Sequence, residues 1–455
     1  MFSLMELDWQ TQRDLELFQG SAAEQSIFEV LDRTRTTDGK RVLQKRFKNP
    51  LYTVSLIRET QNVVSFLSSA VPNVTFPFSQ SDLDNFQQYL DSTYLVITPA
   101  EGFFGNFAEK LSSIRDKEFT NFIRQKPYFA LEFLMKAGTF YDLLDLESCP
   151  EMLRKDIQFF RTIVGFGGFN ELLIDPVSNK FQIHDGIKLD NLFRKDLKKS
   201  LFHLLERLIE LDGLLSMAKI SHERGFVMPE FIEANGPFVE LHGVYHLFVE
   251  SPIRNDFEVK EGKNILFLTG PNMAGKTTYM KAVAISLLLA HIGMGVPAIK
   301  MRLTLFTRFF CSLNAMDNIR EGVSSFFSEI RRVKQILEAA LNEDQMFAIF
   351  DELFKGTNVK DALDCSNVVI NGLAGFSRHA FMVSSHLLEL HDLLSDSHRI
   401  DFFHFNGEVL EEKISFDYRL KPGVCSQRLG FQILQQEGIL KLLGGDNIIQ
   451  SAKGL

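Results

Sequence analysis

The sequence predicts a multidomain protein in which a mostly α-helical domain is followed by an α/β domain with a largely parallel sheet. Three observations lead to this prediction. Apolar residues recur at helical spacing before residue 225, a segment rich in helix-breaking residues follows at 225–237, and short apolar strands then alternate with helices. Apolar strands joined by helices indicate a parallel sheet covered on both faces. The length of 455 residues accommodates about two to four domains.

The helical prediction rests on two amphipathic stretches. In residues 55–69 the apolar side chains fall on one helix face, and in 190–223 a stripe of leucines runs from Leu197 to Leu215. The second stretch also has a basic side, formed by Lys195, Lys198, Lys199 and Arg207. We interpret this basic side as a solvated helix face, and contact with DNA is the alternative. The break at 225–237 separates a predicted helical domain, 1–235, from a predicted α/β domain, 236–455.

Charge and cysteine content narrow the class of protein. The formal net charge is -9, from 49 Lys and Arg against 58 Asp and Glu. We therefore do not expect nucleic-acid binding through bulk positive charge, although a local basic surface is compatible with this total. The four cysteines are scattered along the chain. Their spacing does not indicate a zinc or disulfide site, and it is compatible with a protein of a reducing compartment.

No segment of the sequence predicts export or membrane insertion. The N-terminus lacks the features of a signal peptide. Residues 282–299 are uncharged and mostly apolar, but Gly293, Gly295 and Pro297 interrupt their second half. We expect a buried helix from about Thr277 to Ile292 rather than a membrane span. These features predict a soluble, cytoplasmic protein with no membrane partner.

A glycine-rich motif after a predicted strand indicates a phosphate site. Residues 265–269 form a short apolar strand, and 270–277 match G-x-x-x-x-G-K-[ST] immediately before a predicted helix. Glycines let such a loop wrap a phosphate, so that backbone N–H groups and the helix N-terminus face the anion. We expect Lys276 to reach the outer phosphates of ATP and Thr277 to bind Mg²⁺. The residues predicted to bind the nucleotide at this loop are Gly270, Pro271, Asn272, Met273, Ala274, Gly275, Lys276, Thr277 and Thr278.

Two further predicted strands bring polar residues to the same site. Residues 346–350 are followed by Asp351 and Glu352, and residues 379–384 are followed closely by His386. A carboxylate at the end of a strand can hold Mg²⁺, and its neighbour can orient or deprotonate the attacking water. We therefore assign Asp351 to the metal and Glu352 to catalysis, with His386 near the γ-phosphate. Together these assignments predict an ATP-hydrolysing P-loop domain.

Several segments, in the same order along the chain, resemble the MutS family of DNA mismatch-repair ATPases. The strongest is FLTGPNMAGKTTYMKAVAISLLLAHIGMGVPA at 267–298, which has the family's Pro-Asn-Met insert and its Ile-Gly and Val-Pro-Ala ending. Residues 322–329 resemble the family's Ser-Thr-Phe loop, 351–357 its paired acids and Gly-Thr, and 416–423 its closing hairpin. Upstream, 31–41 is similar to the start of the family's helical core domain.

This resemblance implies a homodimer with composite ATP sites, in which ATP state is coupled to clamping duplex DNA. It implies that Ser324 acts in trans on the partner's nucleotide, and that the C-terminal part of the ATPase domain contributes to dimerisation. It places the adenine near Phe248 or on the segment 253–256. Only about 30 residues precede the core-like segment, so we expect a short member without the mismatch-recognition and connector domains and with a reduced or absent clamp. Val323 stands where the family usually has Arg.

Two functions remain open at this point. The first is a MutS-like Mg-ATP-hydrolysing dimer that binds duplex DNA, in mismatch repair or a related DNA-maintenance process, without reading mismatches directly. The second is a nucleotide-gated ATPase whose helical part binds another protein and not DNA, which the acidic total favours. A transporter-type or chromosome-maintenance ATPase is disfavoured because the Leu-Ser-Gly-Gly-Gln loop of that class is absent.

Overall fold

The protein was analysed as a computed structural model that describes residues 6–19, 25–70, 74–97, 117–144, 146–166, 183–313, 325–341, 344–410, 413–425 and 438–442. The chain divides into two compact units. One contains Leu31–Arg46 and Arg58–Glu223, and the other contains Met1–Val30, Phe47–Ile57 and Arg224–Leu455.

The helices occur throughout the chain. They are α1 (Trp9–Asp14), α2 (Ile27–Leu31), α3 (Thr37–Lys48), α4 (Val54–Ala70), α5 (Gln80–Leu90), α6 (Lys117–Asp142), α7 (Glu151–Gly165), α8 (Ile183–Asn191), α9 (Lys198–Arg224), α10 (Lys276–His291), α11 (Ser325–Ala340), α12 (Val359–Gly375), α13 (Glu389–Leu394) and α14 (Ile439–Leu442). A π-helical turn, Leu192–Asp196, precedes α9.

The strands lie outside the helical unit. They are β1 (Glu6–Leu7), β2 (Glu230–Phe231), β3 (Val239–Val244), β4 (Asn255–Val259), β5 (Ile265–Thr269), β6 (Lys300–Leu303), β7 (Arg308–Ser312), β8 (Met346–Asp351), β9 (Ala380–Ser384), β10 (Ile400–Leu410) and β11 (Lys413–Pro422). This distribution confirms the prediction of a helical part and an α/β part.

The helical unit is held together by apolar faces of the expected spacing. In α9, Leu201, Leu204 and Leu208 are buried, so the leucine stripe is a core face. Helix α5 begins with a capping box, in which Ser79 and Asp82 exchange side-chain-to-backbone hydrogen bonds. The basic side of α9 is partly neutralised, because Arg207 forms ion pairs with Asp156 and Glu210.

The α/β unit is built on a seven-stranded sheet of order β1-β7-β8-β9-β5-β10-β11. The pairs from β1 to β10 in this order are parallel, and only β10 and β11 pair antiparallel. Every residue of β5 and of β9 is buried, which explains their uninterrupted apolar sequences. A second, four-stranded sheet has the order β2-β6-β3-β4.

The N-terminal segment belongs to the α/β unit. Strand β1 pairs in parallel with β7, and Asp8 accepts a 2.6 Å hydrogen bond from the buried guanidinium of Arg332 in α11. Thr11 and Asp14 accept hydrogen bonds from the backbone N–H groups of Cys311 and Leu313. Helical spacing in the sequence gives no sign of these long-range contacts.

The apolar stretch at 282–299 is a buried helix followed by a turn, as expected. Helix α10 ends at His291, and Gly293 has a φ of 77°, a conformation that favours glycine. None of the helices in the described part of the chain is long and apolar enough to cross a membrane.

Candidate nucleotide-binding site

The order of the large sheet brings the predicted site residues to one edge. Strand β9 lies between β5 and β8, and all three run parallel. Ser384 is the register partner of both Asp351 and Leu268. The loop after β5, the acids after β8 and the residues after β9 therefore leave the sheet side by side. This edge of carboxyl ends is where open α/β sheets usually bind ligands.

The loop between β5 and α10 needs glycine at two positions. Gly270 has a φ of 143°, and a Cβ there would lie 2.8 Å from the carbonyl oxygen of Phe405. Gly275 has a φ of 95° and precedes α10 without any side-chain cap hydrogen bond among the described residues. Since the first amides of a helix lack intrahelical acceptors, the N-terminus of this 16-residue helix can bind an anion.

Lys276 is buried at the start of α10 and has the loop as its hydrogen-bonding partner. Its Nζ donates to the carbonyl oxygens of Gly270 at 2.7 Å and Pro271 at 3.2 Å. Burial lowers the pKa of Lys276, and the nearby charges of Glu352 and Asp351 oppose this shift. A buried ammonium that faces the loop is well placed to receive a phosphate.

Thr277 and Asp351 are in direct contact. The Thr277 hydroxyl donates to Asp351 Oδ2 at 2.7 Å, and the Ser384 hydroxyl donates to Asp351 Oδ1. Asp351 and Ser384 are register partners at the ends of β8 and β9, and Thr277 comes from the start of α10. A hydroxyl and a carboxylate are oxygen ligands of the kind that Mg²⁺ prefers.

Glu352 is in contact with a lysine and a histidine side chain. Its Oε2 lies 3.2 Å from Lys355 Nζ and 3.6 Å from His386 Nδ1. The hydrogen bond with His386, together with the charge of Lys355, lowers the pKa of Glu352 to about 2 despite burial. The same contact raises the pKa of His386. Glu352 therefore carries its negative charge throughout the neutral range.

A cavity of about 760 Å³ opens beside these groups. Its lining includes the loop, the start of α10, the paired acids and Lys355. Tyr245, His246, Ile253, Asn255 and Tyr418 also line it. The size and the mixture of charged, polar and aromatic lining groups fit a ligand that has both a charged and a flat apolar part.

Most of the residues predicted to bind nucleotide line this cavity. Those that do so are Pro271, Asn272, Met273, Gly275, Lys276, Thr277 and Thr278, with Asp351 and Glu352. Gly270 and Ala274 are not among the lining residues but shape the loop, and Ala274 is fully buried. His386 reaches the site through its contact with Glu352.

Two predicted site residues stand apart from this arrangement. Phe248 is not among the residues that line the cavity, and its ring packs edge-on against His246 with centroids 5.2 Å apart. The segment 253–256, named as the alternative place for the adenine, contributes Ile253 and Asn255 to the cavity instead. Ser324, predicted to act in trans, lies outside the described residues.

Sequence reasoning did not assign roles to Lys355 and Tyr418, which both line the cavity. Tyr418 has a φ of 51°, and its ring lies 3.2 Å from the position that a Cβ on Gly275 would take. Asn255 fixes the backbone beside it, because its amide donates to the Tyr418 carbonyl at 2.9 Å and accepts from Leu420 N–H at 2.8 Å. A lysine three residues after the acid pair was the available signal for Lys355.

A protein-family profile and a curated protein both match part of this chain. The family profile described as MutS domain V matches residues 266–453. The DNA mismatch repair protein MutS of Fusobacterium nucleatum subsp. nucleatum is 30% identical over 250 residues, which are 53% of this chain and 27% of that protein. The chain thus spans about a quarter of the length of this relative. Over residues 266–453, the chain is therefore similar to domain V of the MutS family.

Proposed function

We propose that the α/β unit binds Mg-ATP in the 760 Å³ cavity and hydrolyses it. The observation that carries this proposal is the 2.7 Å contact of Thr277 with Asp351, beside the buried ammonium of Lys276. A polyphosphate needs backbone N–H groups and a positive charge as contacts. The glycine-containing loop, the helix N-terminus and Lys276 supply them.

Magnesium fits the residues present. Thr277 Oγ1 and the Asp351 carboxylate offer hard oxygen ligands on neighbouring elements. Within the described part of the chain no group of three or more His, Cys, Asp or Glu side chains could hold a metal. Mg²⁺ commonly takes its remaining ligands from substrate phosphates and water. When bound, the ion would neutralise the charge that develops on the phosphate oxygens.

Glu352 would orient the attacking water by accepting its hydrogen bond. A carboxylate with a pKa of about 2 is a weak base, so orientation is favoured over complete proton removal. His386 contacts the same carboxylate oxygen and could hold it in place or meet the γ-phosphate. Lys276 Nζ would exchange the loop carbonyls for phosphate oxygens, which are stronger acceptors because they are charged.

Aromatic and aliphatic lining residues provide a place for the base. Tyr418 is 46% exposed and lines the cavity together with Ile253. An aromatic ring and an aliphatic side chain can hold a flat heterocycle by stacking and apolar contact. We propose that the adenine binds here rather than at Phe248.

We further propose that ATP state in a homodimer is coupled to duplex DNA, in mismatch repair or a related process, with Ser324 acting on the partner's nucleotide. The match to MutS domain V and the printed name of the MutS relative support this part. In this proposal the helical core, predicted from sequence as 1–235, corresponds to the unit of Leu31–Arg46 and Arg58–Glu223, and the α/β unit is the ATPase domain with its dimerisation segment.

A partner protein in place of DNA is the second candidate. The observation that favours it is that basic side chains of α9 are already paired within the chain. Arg207 forms ion pairs with Asp156 and Glu210, and Lys198 lies 3.8 Å from Asp91. Charges already paired within the chain contribute little to phosphate binding.

Three variants test the catalytic proposal. We expect Lys276→Ala to weaken ATP binding, and Glu352→Gln to bind ATP normally while hydrolysing it roughly 100-fold or more slowly. The exposed Glu258→Gln, outside this cavity, should match the wild type. Wild-type turnover by Glu352→Gln would refute the role of Glu352.

Titrating linear, mismatched and branched duplexes across a salt series, with and without ATP, separates the two candidates. Affinity that falls steeply with salt indicates DNA binding. Absence of binding at low salt, in a preparation that hydrolyses ATP, would favour the partner protein.

A further inference from the structure

Lys355 occupies an unusual position, because it faces the cavity and contacts the proposed catalytic acid at once. Its Nζ lies 3.2 Å from Glu352 Oε2, and the residue lines the same cavity as Lys276 and Thr277. Glu352 Oε2 also contacts His386. One carboxylate oxygen thus contacts both Lys355 and His386, and of these two residues only Lys355 lines the cavity.

The backbone that presents Lys355 is tightly fixed. Phe354 has a φ of 64°, is buried, and packs edge-on against Phe326 of α11 at 5.9 Å between centroids. The backbone N–H groups of Phe354 and Lys355 interact with the buried carboxyl of Glu329, also on α11. A left-handed non-glycine residue persists only where surrounding contacts impose it. The start of the Lys355 side chain is therefore set by the fold, while its flexible end remains 41% exposed.

The positively charged groups that line the cavity indicate a function for the Lys355 ammonium. Among the described lining residues, the groups that are positively charged at neutral pH are Lys276 and Lys355, since burial lowers the pKa of His246 to about 4. A nucleoside triphosphate brings several negative charges into this space. A mobile ammonium already inside the cavity would be drawn to the outermost phosphate, because a phosphate oxygen near Mg²⁺ and Lys276 is still a charged acceptor.

We propose that Lys355 is a second phosphate-binding lysine that exchanges Glu352 for the terminal phosphate when a nucleoside triphosphate binds. The exchange stabilises the terminal phosphate and, in the same movement, frees Glu352 Oε2 to accept a hydrogen bond from water. A diphosphate ends too early to receive this contact, so Glu352 stays paired with Lys355. This inference rests on the proposed ATP site and adds to it a means of distinguishing ATP from ADP.

The test compares the binding of two nucleotides by Lys355→Met. Lys360→Met is the matched control, because Lys360 is an exposed lysine in α12 of the same segment and does not line the cavity. Equilibrium binding is measured with AMP-PNP and with ADP, each with Mg²⁺, and a thermal melt confirms that the variants fold. Steady-state ATP hydrolysis is measured for the wild type and both variants, and the binding of the same two nucleotides is also measured for Lys355→Arg.

We expect Lys355→Met to lose roughly tenfold in affinity for AMP-PNP, the scale of one charge-assisted hydrogen bond, and to keep its affinity for ADP within about twofold. Its kcat should fall, and Lys355→Arg should recover part of the AMP-PNP affinity. Equal losses for both nucleotides, or no loss, would overturn the proposal. A higher kcat without change in nucleotide preference would mean that Lys355 only restrains Glu352. Failure of the wild type to bind either nucleotide would instead refute the ATP site itself.

Discussion

The buried carboxyl of Glu329 should make the stability of the α/β unit depend on pH. Glu329 lies on α11 and is 8% exposed. Among the described residues its Oε2 has no hydrogen-bond partner. Burial raises the pKa of Glu329 to about 6 from an ordinary value of 4.5, although the backbone N–H groups of Phe354 and Lys355 favour the charged form. The folded protein therefore holds this proton more tightly than the unfolded chain does.

The sign and size of the effect follow from this difference. Below pH 4.5 the carboxyl is protonated in both states, and stability is at its highest with respect to this group. As pH rises to about 6 the unfolded chain loses its proton first, so the free energy of unfolding decreases, and above that it is constant. At 1.36 kcal/mol per pKa unit the total decrease is about 2 kcal/mol.

Glu329→Gln removes the titration and tests this reasoning. Urea unfolding is measured from pH 4.5 to 7.5 for the wild type, Glu329→Gln and the control Glu338→Gln. Glu338 lies on the same helix with its side chain 64% exposed. We expect the stability of Glu329→Gln relative to the wild type to increase by about 2 kcal/mol between the lower and the upper end of the range. A constant difference across this range would contradict the assignment of the raised pKa to Glu329.

Other predictions concern the metal, the base and the N-terminal segment. Asp351→Asn should reduce the Mg²⁺ dependence of ATP binding and leave binding in EDTA nearly unchanged, as measured by fluorescence titration. Tyr418→Ala should weaken ATP binding roughly tenfold without affecting tripolyphosphate, because only the base stacks on the ring; equal losses for both ligands would contradict this placement. Arg332→Met should lower the free energy of unfolding by about 3–5 kcal/mol because it leaves Asp8 without its buried partner, and Arg332→Met with Asp8→Asn should regain part of that loss.

The parts of the site that could be predicted from sequence are those that local rules determine. The strand, glycine-rich loop and helix around Lys276 are consecutive, so the spacing of residue types is sufficient to identify them. Asp351 could be placed because the carboxyl ends of neighbouring parallel strands meet at one edge. The described contact between Thr277 and Asp351 is what this rule requires, although 74 residues separate them.

The parts that could not be predicted depend on contacts between distant segments. Tyr418 reaches the cavity only because β11 follows β10 back along the sheet edge and Asn255 fixes its backbone. Phe248 and Ile253 are both apolar and close in sequence, and spacing cannot say which of them the turn before β4 directs into the cavity. The pairing of β1 with β7 likewise joins residues about 300 positions apart, for which a single sequence carries no periodic signal.

The backbone of the acid pair explains how a side-chain exchange could control the site without a larger movement. Glu352 has a φ of 55° and Phe354 one of 64°, and such conformations cost roughly 1–3 kcal/mol each for residues other than glycine. The Glu352 N–H donates to the Ser384 carbonyl at 3.1 Å, and Phe354 is buried. These contacts fix the direction of the Glu352 side chain through its backbone. If the Lys355 side chain moves to the phosphate, the Glu352 carboxylate therefore changes its hydrogen-bonding partner but keeps its position. A triphosphate that attracts one flexible lysine would be sufficient to make Glu352 available to water.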